Sequence, residues 1–363
     1  ELVASGASPE ILTVHRPHIG TFKLATVVRG LRSRIEALGG EVRFGCRVDN
    51  LLLDACDDGK PHQLAAVELD SGERIACRHL VLAPGHSARD TFTMLERVGV
   101  ALEAKPFSVG VRIEHPQPLI DQARWGSQAG HPRLGAAEYK LVHHASNGRC
   151  VYSFCMCPGG FVVGATSEEN RVVTNGMSQH SRNERNANSG LVVNLDSEDL
   201  QPYERWPGDP LAGVALQRDL EGRAFELGGG RYAAPAQRLE DFLASRPSTD
   251  LGSVAASYQP GVTPTDLSSA LPGPIIAALR EALPVFAGRL RGYDHPDAVL
   301  TGVETRTSSP VRIPRDQALE STNTRGVVPA GEGAGYAGGI LSAGIDGIRA
   351  AEAVARQILA SAT

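Results

Sequence analysis

The chain has 363 residues, 42% hydrophobic and 21% charged, the balance of a folded globular protein and not of a disordered or membrane-embedded one. Formal net charge is -5 and the basic residues are scattered singly or in pairs such as Arg32 and Arg34, which excludes the basic stripe that grips a nucleic-acid backbone. Six cysteines without framework spacing or paired CxxC units exclude a disulfide scaffold and a zinc ribbon, and no apolar run approaches the ~20 residues that span a bilayer.

Together with the lack of a signal-peptide pattern after Glu1, these features lead to the expectation of a cytoplasmic protein with no membrane partner, no nucleic-acid partner and no metal. The length favours two domains, because single cores stop growing near ~250 to 300 residues. From Thr21, apolar residues Leu24, Val27, Val28, Leu31, Ile35 and Leu38 recur at helical steps, with Thr21 as the predicted N-cap and Gly39-Gly40 as the stop. EVRFGCRVDNLLLDA and LAAVELDSGERIACRHLVLAPG then give short strands, a Ser71-Gly72 turn and a buried strand from Leu80 to Ala83.

After Pro106 the runs FSVGVRIEHP, YKLVHHAS, RCVYSFCMC, FVVGATSE and LVVNL, divided by Gly, Pro, Asn and Ser, predict a β-rich insertion. Helical patterns dominate from about Gly208 to Leu290, interrupted by a loop from Pro260 to Pro272. The chain then returns to strands in VLTGVETRTS and GVVPA, followed by the loop GEGAGYAGG and a final helix. Leu341, Ile345, Ile348, Ala351, Ala355 and Ile358 mark the face of that helix expected to pack on a sheet. No internal repeat is present.

The strongest chemical signal is Val327-Val328-Pro329-Ala330-Gly331-Glu332, followed by Gly333, Gly335, Gly338 and Gly339 before the last helix. A buried strand that delivers an acidic residue at its carboxyl end matches the place where open α/β sheets bind ligands. Glu332 can accept hydrogen bonds from ribityl or ribose hydroxyls, the glycines admit a diphosphate or flavin ring, and the helix amino terminus favours negative charge. A Gly-rich turn with an ordinary capping glutamate is the competing reading.

The second signal is the strand Leu80-Val81-Leu82-Ala83 closed by Pro84-Gly85. In this order, with an insertion between them, the two motifs resemble the glutathione-reductase-like flavoproteins. A closer resemblance is carried by HIGTFKL, LVLAPGHSARDTF, KPFSVGVRIEHPQ, MCPGGFVVGATSEENRVVTNGMS, ETRTSSPVRI and AGEGAGYAGGILSAGIDGIRAAEAVA, which are similar to a family of uncharacterised bacterial FAD-dependent dehydrogenases. One departure is Phe22, where the family commonly has Asp.

The resemblance implies an α/β fold in which an incomplete Rossmann-like FAD-binding domain is interrupted by a β-rich α+β substrate domain. Residues 1–105 and 298–363 would form the FAD-binding parts and 106–297 the insertion. It also implies bound FAD, with NAD(P)H as a candidate electron donor and a small-molecule substrate, and leaves the oligomeric state open. Cofactor contacts are expected from Val48, Ala83, Gly85, Gly331, Glu332, Gly338, Gly339 and Ile340. The opening GxGxxG turn of such folds does not occur before His18, nor do Gly159-Gly160 or Gly228-Gly229-Gly230 replace it. The pyrophosphate turn is therefore expected in sequence outside this chain or from a second chain.

Further candidates for the flavin face or substrate are His18, Lys23, Cys157, Asn175, Arg306, Ser309 and Arg312. Cys155 and Cys157 are two apart in a strand-like run, so alternation puts them on one face, as flavin-side thiols or as small buried hydrophobes. Ser167 to Arg171 and Asn175 to Ser178 read as polar turns, placed near the cleft only by the resemblance. Arg306 and Arg312 can pair bidentately with a carboxylate or phosphate, or sit solvated on an edge strand. No general acid or base is assigned.

Overall fold

The computed structural model describes residues 1–14, 17–56 and 59–361, and these fall into two compact units. The first comprises Glu1–Arg43, Val109–Asn194 and Leu220–Thr305; the second comprises Phe44–Ser108, Leu195–Asp219 and Arg306–Thr363.

The first unit is built on an eight-stranded sheet. Its strands run in the order Val262–Pro264, Ala234–Arg238, Val299–Glu304, Ser108–Pro116, Asn186–Asn194, Cys150–Gly164 and Val142–His144, with Thr174–Ser178 also paired to Cys150–Gly164. Ser108–Pro116 and Asn186–Asn194 are buried along nearly their whole length, so both sheet faces are covered there. The helix Gly273–Arg289 turns Ile275, Ile276, Leu279, Leu283 and Phe286 inward at three- and four-residue steps and packs on strands of this sheet.

The runs RCVYSFCMC and FVVGATSE, expected as separate strands, are one strand, Cys150–Gly164. It bends where Cys155 takes φ +41° and the pairing with Asn186–Asn194 shifts register beside Cys157. Gly159 permits this path, because a Cβ there would lie 1.7 Å from the Arg182 carbonyl oxygen. The helix Thr21–Ala37 forms as expected, but its N-cap is Gly20 and not Thr21. Gly20 passes so close to His180 that a Cβ would come within 2.5 Å of its backbone nitrogen, so glycine holds the turn and Thr21 becomes the first helical residue. Of the predicted apolar face only Val27 is buried; Val28, Ile35 and Leu38 are exposed.

The second unit holds smaller sheets. Val48–Ala55 and His62–Leu69 pair antiparallel, Arg74–Ala76 and Thr324–Arg325 join His62–Leu69, and the expected Ser71-Gly72 turn is closed by Leu69 N–H donating to Glu73 O at 2.9 Å. Glu103–Ala104 pairs antiparallel with Val311–Arg312, and Leu80–Leu82 pairs parallel with Val327–Pro329. These strands do not by themselves make a doubly wound sheet. Leu51, Leu64, Phe92, Leu95, Val311 and Val327 form the main core.

The last helix, Ile340–Ser361, departs from expectation in its orientation. Asp346, Ala350 and Ala353 are its buried residues, while Leu341, Ile345, Ile348 and Ile358, expected to face a sheet, are about half exposed. The small side chain of Ala350 allows close approach to Val328 and Ala330, which the bulkier face would prevent.

Candidate functional site at the ends of the parallel strand pair

Leu80–Leu82 and Val327–Pro329 run side by side and end together, so their following turns, Ala83-Pro84-Gly85 and Ala330-Gly331-Glu332-Gly333, emerge at one place. Ala330 N–H extends the pairing by donating to Leu82 O at 2.9 Å. Gly85 and Gly331 have φ of +73° and +76°, the left-handed region that favours glycine. The two turns touch backbone to backbone: a Cβ on Gly333 would stand 2.4 Å from Gly85 O. Glycine at 333 is thus required by the meeting of the turns.

The Gly331 turn is tied to the last helix by a carboxylate. Asp346 accepts from Gly331 N–H at 2.7 Å and binds Arg315 bidentately at 3.0 and 2.6 Å. Arg315 also donates to Pro329 O at 2.8 Å and lies 3.8 Å from the centre of the Tyr336 ring, whose hydroxyl accepts from Arg315 N–H at 3.1 Å. Burial works against the Asp346 charge, yet the Arg315 and Gly331 bonds hold its carboxyl below the usual range. The strand end, the turn and the helix therefore share one anchored ion pair.

Glu332 stands apart from this anchor. It is half-buried, and burial pushes its carboxyl above the usual range against the opposing field of Lys105. The nearest basic atom, His86 Nε2, is 3.9 Å away. Burial, reinforced by the charges of Arg306 and Arg89, depresses His86 to about 4, so at neutral pH the ring in this contact is uncharged. His86 Nδ1 is buried and has no hydrogen-bond partner among the described residues.

Among the residues singled out from sequence, Ala83, Gly85, Gly331 and Glu332 come together here. Arg306 donates to Ser87 Oγ at 3.0 Å, and Ser309 Oγ donates to Val311 O at 2.7 Å and lies 3.4 Å from Gly333 O. Arg312 is exposed, its guanidinium 5.6 Å from the Tyr336 ring centre. Gly338, Gly339 and Ile340 open the last helix; the Gly338 N–H donates to Ser342 Oγ at 3.3 Å, and added Cβ atoms at Gly338 and Gly339 would meet open space. Val48 begins the four-stranded sheet opposite Leu69.

The other four candidates belong to the first unit. His18 Nε2 lies 2.9 Å from Gln179 O, and Lys23 is exposed on its helix. Cys157 is partly buried, with its Sγ 3.3 Å from Cys155 O, and burial pushes its thiol up. Cys155 is exposed at the bend, so the simple alternation expected of the two cysteines does not hold. Asn175 lies within the strand Thr174–Ser178 and not in a turn; its Oδ1 accepts from Arg112 Nη2 at 2.9 Å. Sequence reasoning missed Arg315, Asp346, His86 and Lys105. Asp346 carried a usable signal, a lone carboxylate on the small-residue side of an apolar helix.

With this geometry in place, comparison with known proteins gives the class. Residues 106–307, more than half of the chain, match the family described as FAD-dependent protein, C-terminal domain-like, and the chain belongs to that family. It is also similar to an uncharacterized protein of Clostridium beijerinckii, 47% identical over 353 residues, which covers 97% of this chain and 64% of the relative. The chain thus spans less than two thirds of that relative's length. Among solved structures it is similar to PqsL, a probable FAD-dependent monooxygenase from Pseudomonas aeruginosa, at 14% identity and TM-score 0.24, covering 54% of this chain and 40% of that one. It is similar to a flavocytochrome c3 fumarate reductase at 12% identity and TM-score 0.31, covering 94% and 57%. Scores of this size carry no argument about fold or activity.

Proposed function

We propose that this chain is the larger part of an FAD-dependent oxidoreductase that passes hydride through the flavin to or from a small-molecule substrate, with NAD(P)H as the candidate electron donor. The observation that carries the reading is Glu332: a half-buried carboxylate with no ion-pair partner closer than a neutral histidine, on a turn held by Gly333 against Gly85. Leaving such a charge unpaired is unfavourable unless a ligand completes it. The donor set suits a flavin nucleotide, since Glu332 accepts from ribityl or ribose hydroxyls and the open approach at Gly338 and Gly339 admits a ring edge. FAD supplies the redox chemistry when bound, and the chain's own part is to hold and orient it.

In this reading residues 1–105 and 298–363 serve FAD and 106–297 serve the substrate, within a Rossmann-like fold whose pyrophosphate turn lies outside this chain. Support comes from the half-exposed face of Leu341, Ile345 and Ile348 and from Val81 on the short parallel pair, apolar surface that further secondary structure would cover. The same surface favours a second reading, that the chain by itself is a non-catalytic module that does not retain FAD. None of the described helices is long and apolar enough to cross a membrane; a cytoplasmic location and the absence of nucleic-acid and membrane partners belong to the proposal.

An absorbance spectrum of the purified full-length protein from 300 to 550 nm, before and after anaerobic NADPH, tests the reading. Flavin bands that bleach support an FAD oxidoreductase reduced by a nicotinamide, and a colourless full-length protein that takes up no added FAD overturns it. Glu332→Ala lowers flavin retention in the same protein, and unchanged flavin content removes Glu332 from its assigned role.

A further inference from the structure

The second unit contains two poorly exposed lysines that are treated in opposite ways. Lys60 is surrounded by acceptors: Asp316 Oδ2 at 2.9 Å, Glu320 Oε2 at 2.6 Å and Ser321 O at 2.7 Å. Lys105 is half-buried with a single polar contact from its ammonium, Ser308 Oγ at 3.5 Å, and among the described residues no carboxylate lies within 4 Å of it. An ammonium that loses part of its hydration for one long hydrogen bond to a neutral hydroxyl is poorly compensated, and the fold nevertheless holds it there.

Its backbone is fixed by Lys105 N–H donating to Pro310 O at 2.9 Å, next to the pairing of Ala104 with Val311. Its aliphatic stem lies along the glycine-rich loop: a Cβ on Gly335 would be 3.1 Å from Lys105 Cδ and 3.1 Å from Arg312 Cα, and Gly335 has φ +84°. The ammonium is close enough to Glu332 for each charge to act on the other, and Arg312 adds a second positive charge. The glycine-rich loop and the paired segments around Lys105 and Arg312 therefore set an acceptor suited to hydroxyls beside cations suited to an anion, and among the described residues neither Glu332 nor Lys105 has a partner of opposite charge in contact, the His86 ring being neutral.

We propose that Lys105 binds a phosphate group of the same ligand whose hydroxyl-bearing chain Glu332 accepts, so that the loop selects a phosphorylated ribityl or ribose over its unphosphorylated counterpart. The inference rests on the flavin-nucleotide reading above and adds the residue that recognises the charge. Lysine provides a point charge and mobile donors for a phosphate oxygen, and Arg312 reinforces the field without having to touch the ligand.

The test compares Lys105→Met, Lys105→Arg and Glu332→Ala in the full-length apoprotein, with riboflavin, FMN, FAD and inorganic phosphate as probes and flavin fluorescence quenching as the readout. Lys105→Met is expected to weaken FMN and FAD roughly tenfold or more, the loss of one charge-assisted hydrogen bond, and to leave riboflavin within about twofold. Lys105→Arg should restore most of the nucleotide affinity, which a purely structural role would not predict. Competition by inorganic phosphate against FMN but not riboflavin supports the assignment further. Equal losses for riboflavin and FMN, or no loss for either while Glu332→Ala weakens both, overturn the role of Lys105 alone. If Glu332→Ala leaves all flavins unaffected, the underlying flavin reading fails together with it.

Discussion

One buried network of the first unit and the Glu332 loop of the second treat charge in contrasting ways. In the first, Arg112 is fully enclosed and answered on every side: Glu304 at 2.9 and 2.8 Å, Cys155 O at 2.8 Å, Asn175 Oδ1 at 2.9 Å and Asn188 Oδ1 at 3.3 Å. In the second, Glu332 and Lys105 are half-buried, and among the described residues neither has a charged partner of opposite sign in contact. A network closed within the protein fixes a packing arrangement, whereas charges left open fix nothing until a ligand arrives. Polarity under cover is therefore not in itself a sign of function; incompleteness is. Asn175, singled out from sequence as a flavin-face candidate, has its oxygen engaged by Arg112, while Glu332 keeps its acceptor capacity.

The largest effect that can test this contrast comes from opening the closed network. Arg112→Met leaves Glu304 buried without its cation and should destabilise the protein by about 3 to 5 kcal/mol in urea unfolding. A loss under 1 kcal/mol would mean that the network contributes little and that the comparison is drawn in the wrong place. Next in size is Asp346→Ala, which strands Arg315 and releases Gly331 N–H. It should lower stability by about 2 to 3 kcal/mol and speed amide exchange at Gly331, with Asp346→Asn between the two.

For Glu332 the sign is opposite in the ligand-free protein. Its folded pKa lies above the unfolded value because of burial, so the folded state holds more protons between those two values and stability falls as pH rises through them. Above both values the ionised carboxylate thus lowers the stability of the ligand-free protein. Glu332→Gln should raise the melting temperature of the ligand-free protein by about 1 to 2 °C, an advantage that disappears below pH 4, and should weaken flavin retention. Thermal unfolding at pH 7 and pH 3.5, with and without FAD, checks both halves. A variant that is less stable and binds FAD normally would make Glu332 a structural residue.

Much of this arrangement was legible before the structure. The strand Leu80–Leu82, expected one residue longer and buried although its Val81 is exposed, the Ser71-Gly72 turn, the late strand and the turn carrying Glu332 follow from short apolar runs punctuated by turn-forming residues. What could not be read has definite causes. Asp346 and Arg315 are 31 residues apart along the chain and meet only through packing, and Lys105 takes its meaning from having no carboxylate in contact among the described residues, which no spacing reveals. The positive φ of Cys155 and the close approach of Gly159 to Arg182 interrupt strand alternation in the same stretch, and neither is visible in the spacing of the residues. The final helix was misjudged because periodicity identifies an apolar face without saying what covers it, and here the alanine side is the one that packs.

That helix provides the smallest expected effect and the most direct test of the proposal that further secondary structure covers the second unit. Ile345 and Ile348 are 54% and 52% exposed, so little apolar area is removed from water by either side chain in this chain. Ile345→Glu and Ile348→Glu should therefore change the stability of the chain by no more than about 0.5 kcal/mol, as surface substitutions do. In the full-length protein the same changes should be far less tolerated, by about 2 to 3 kcal/mol each, because a charged side chain would then face the elements that cover this surface. Urea unfolding of the two lengths side by side measures the difference. Equal tolerance in both would show that this face stays open to solvent and that the sheet is completed elsewhere.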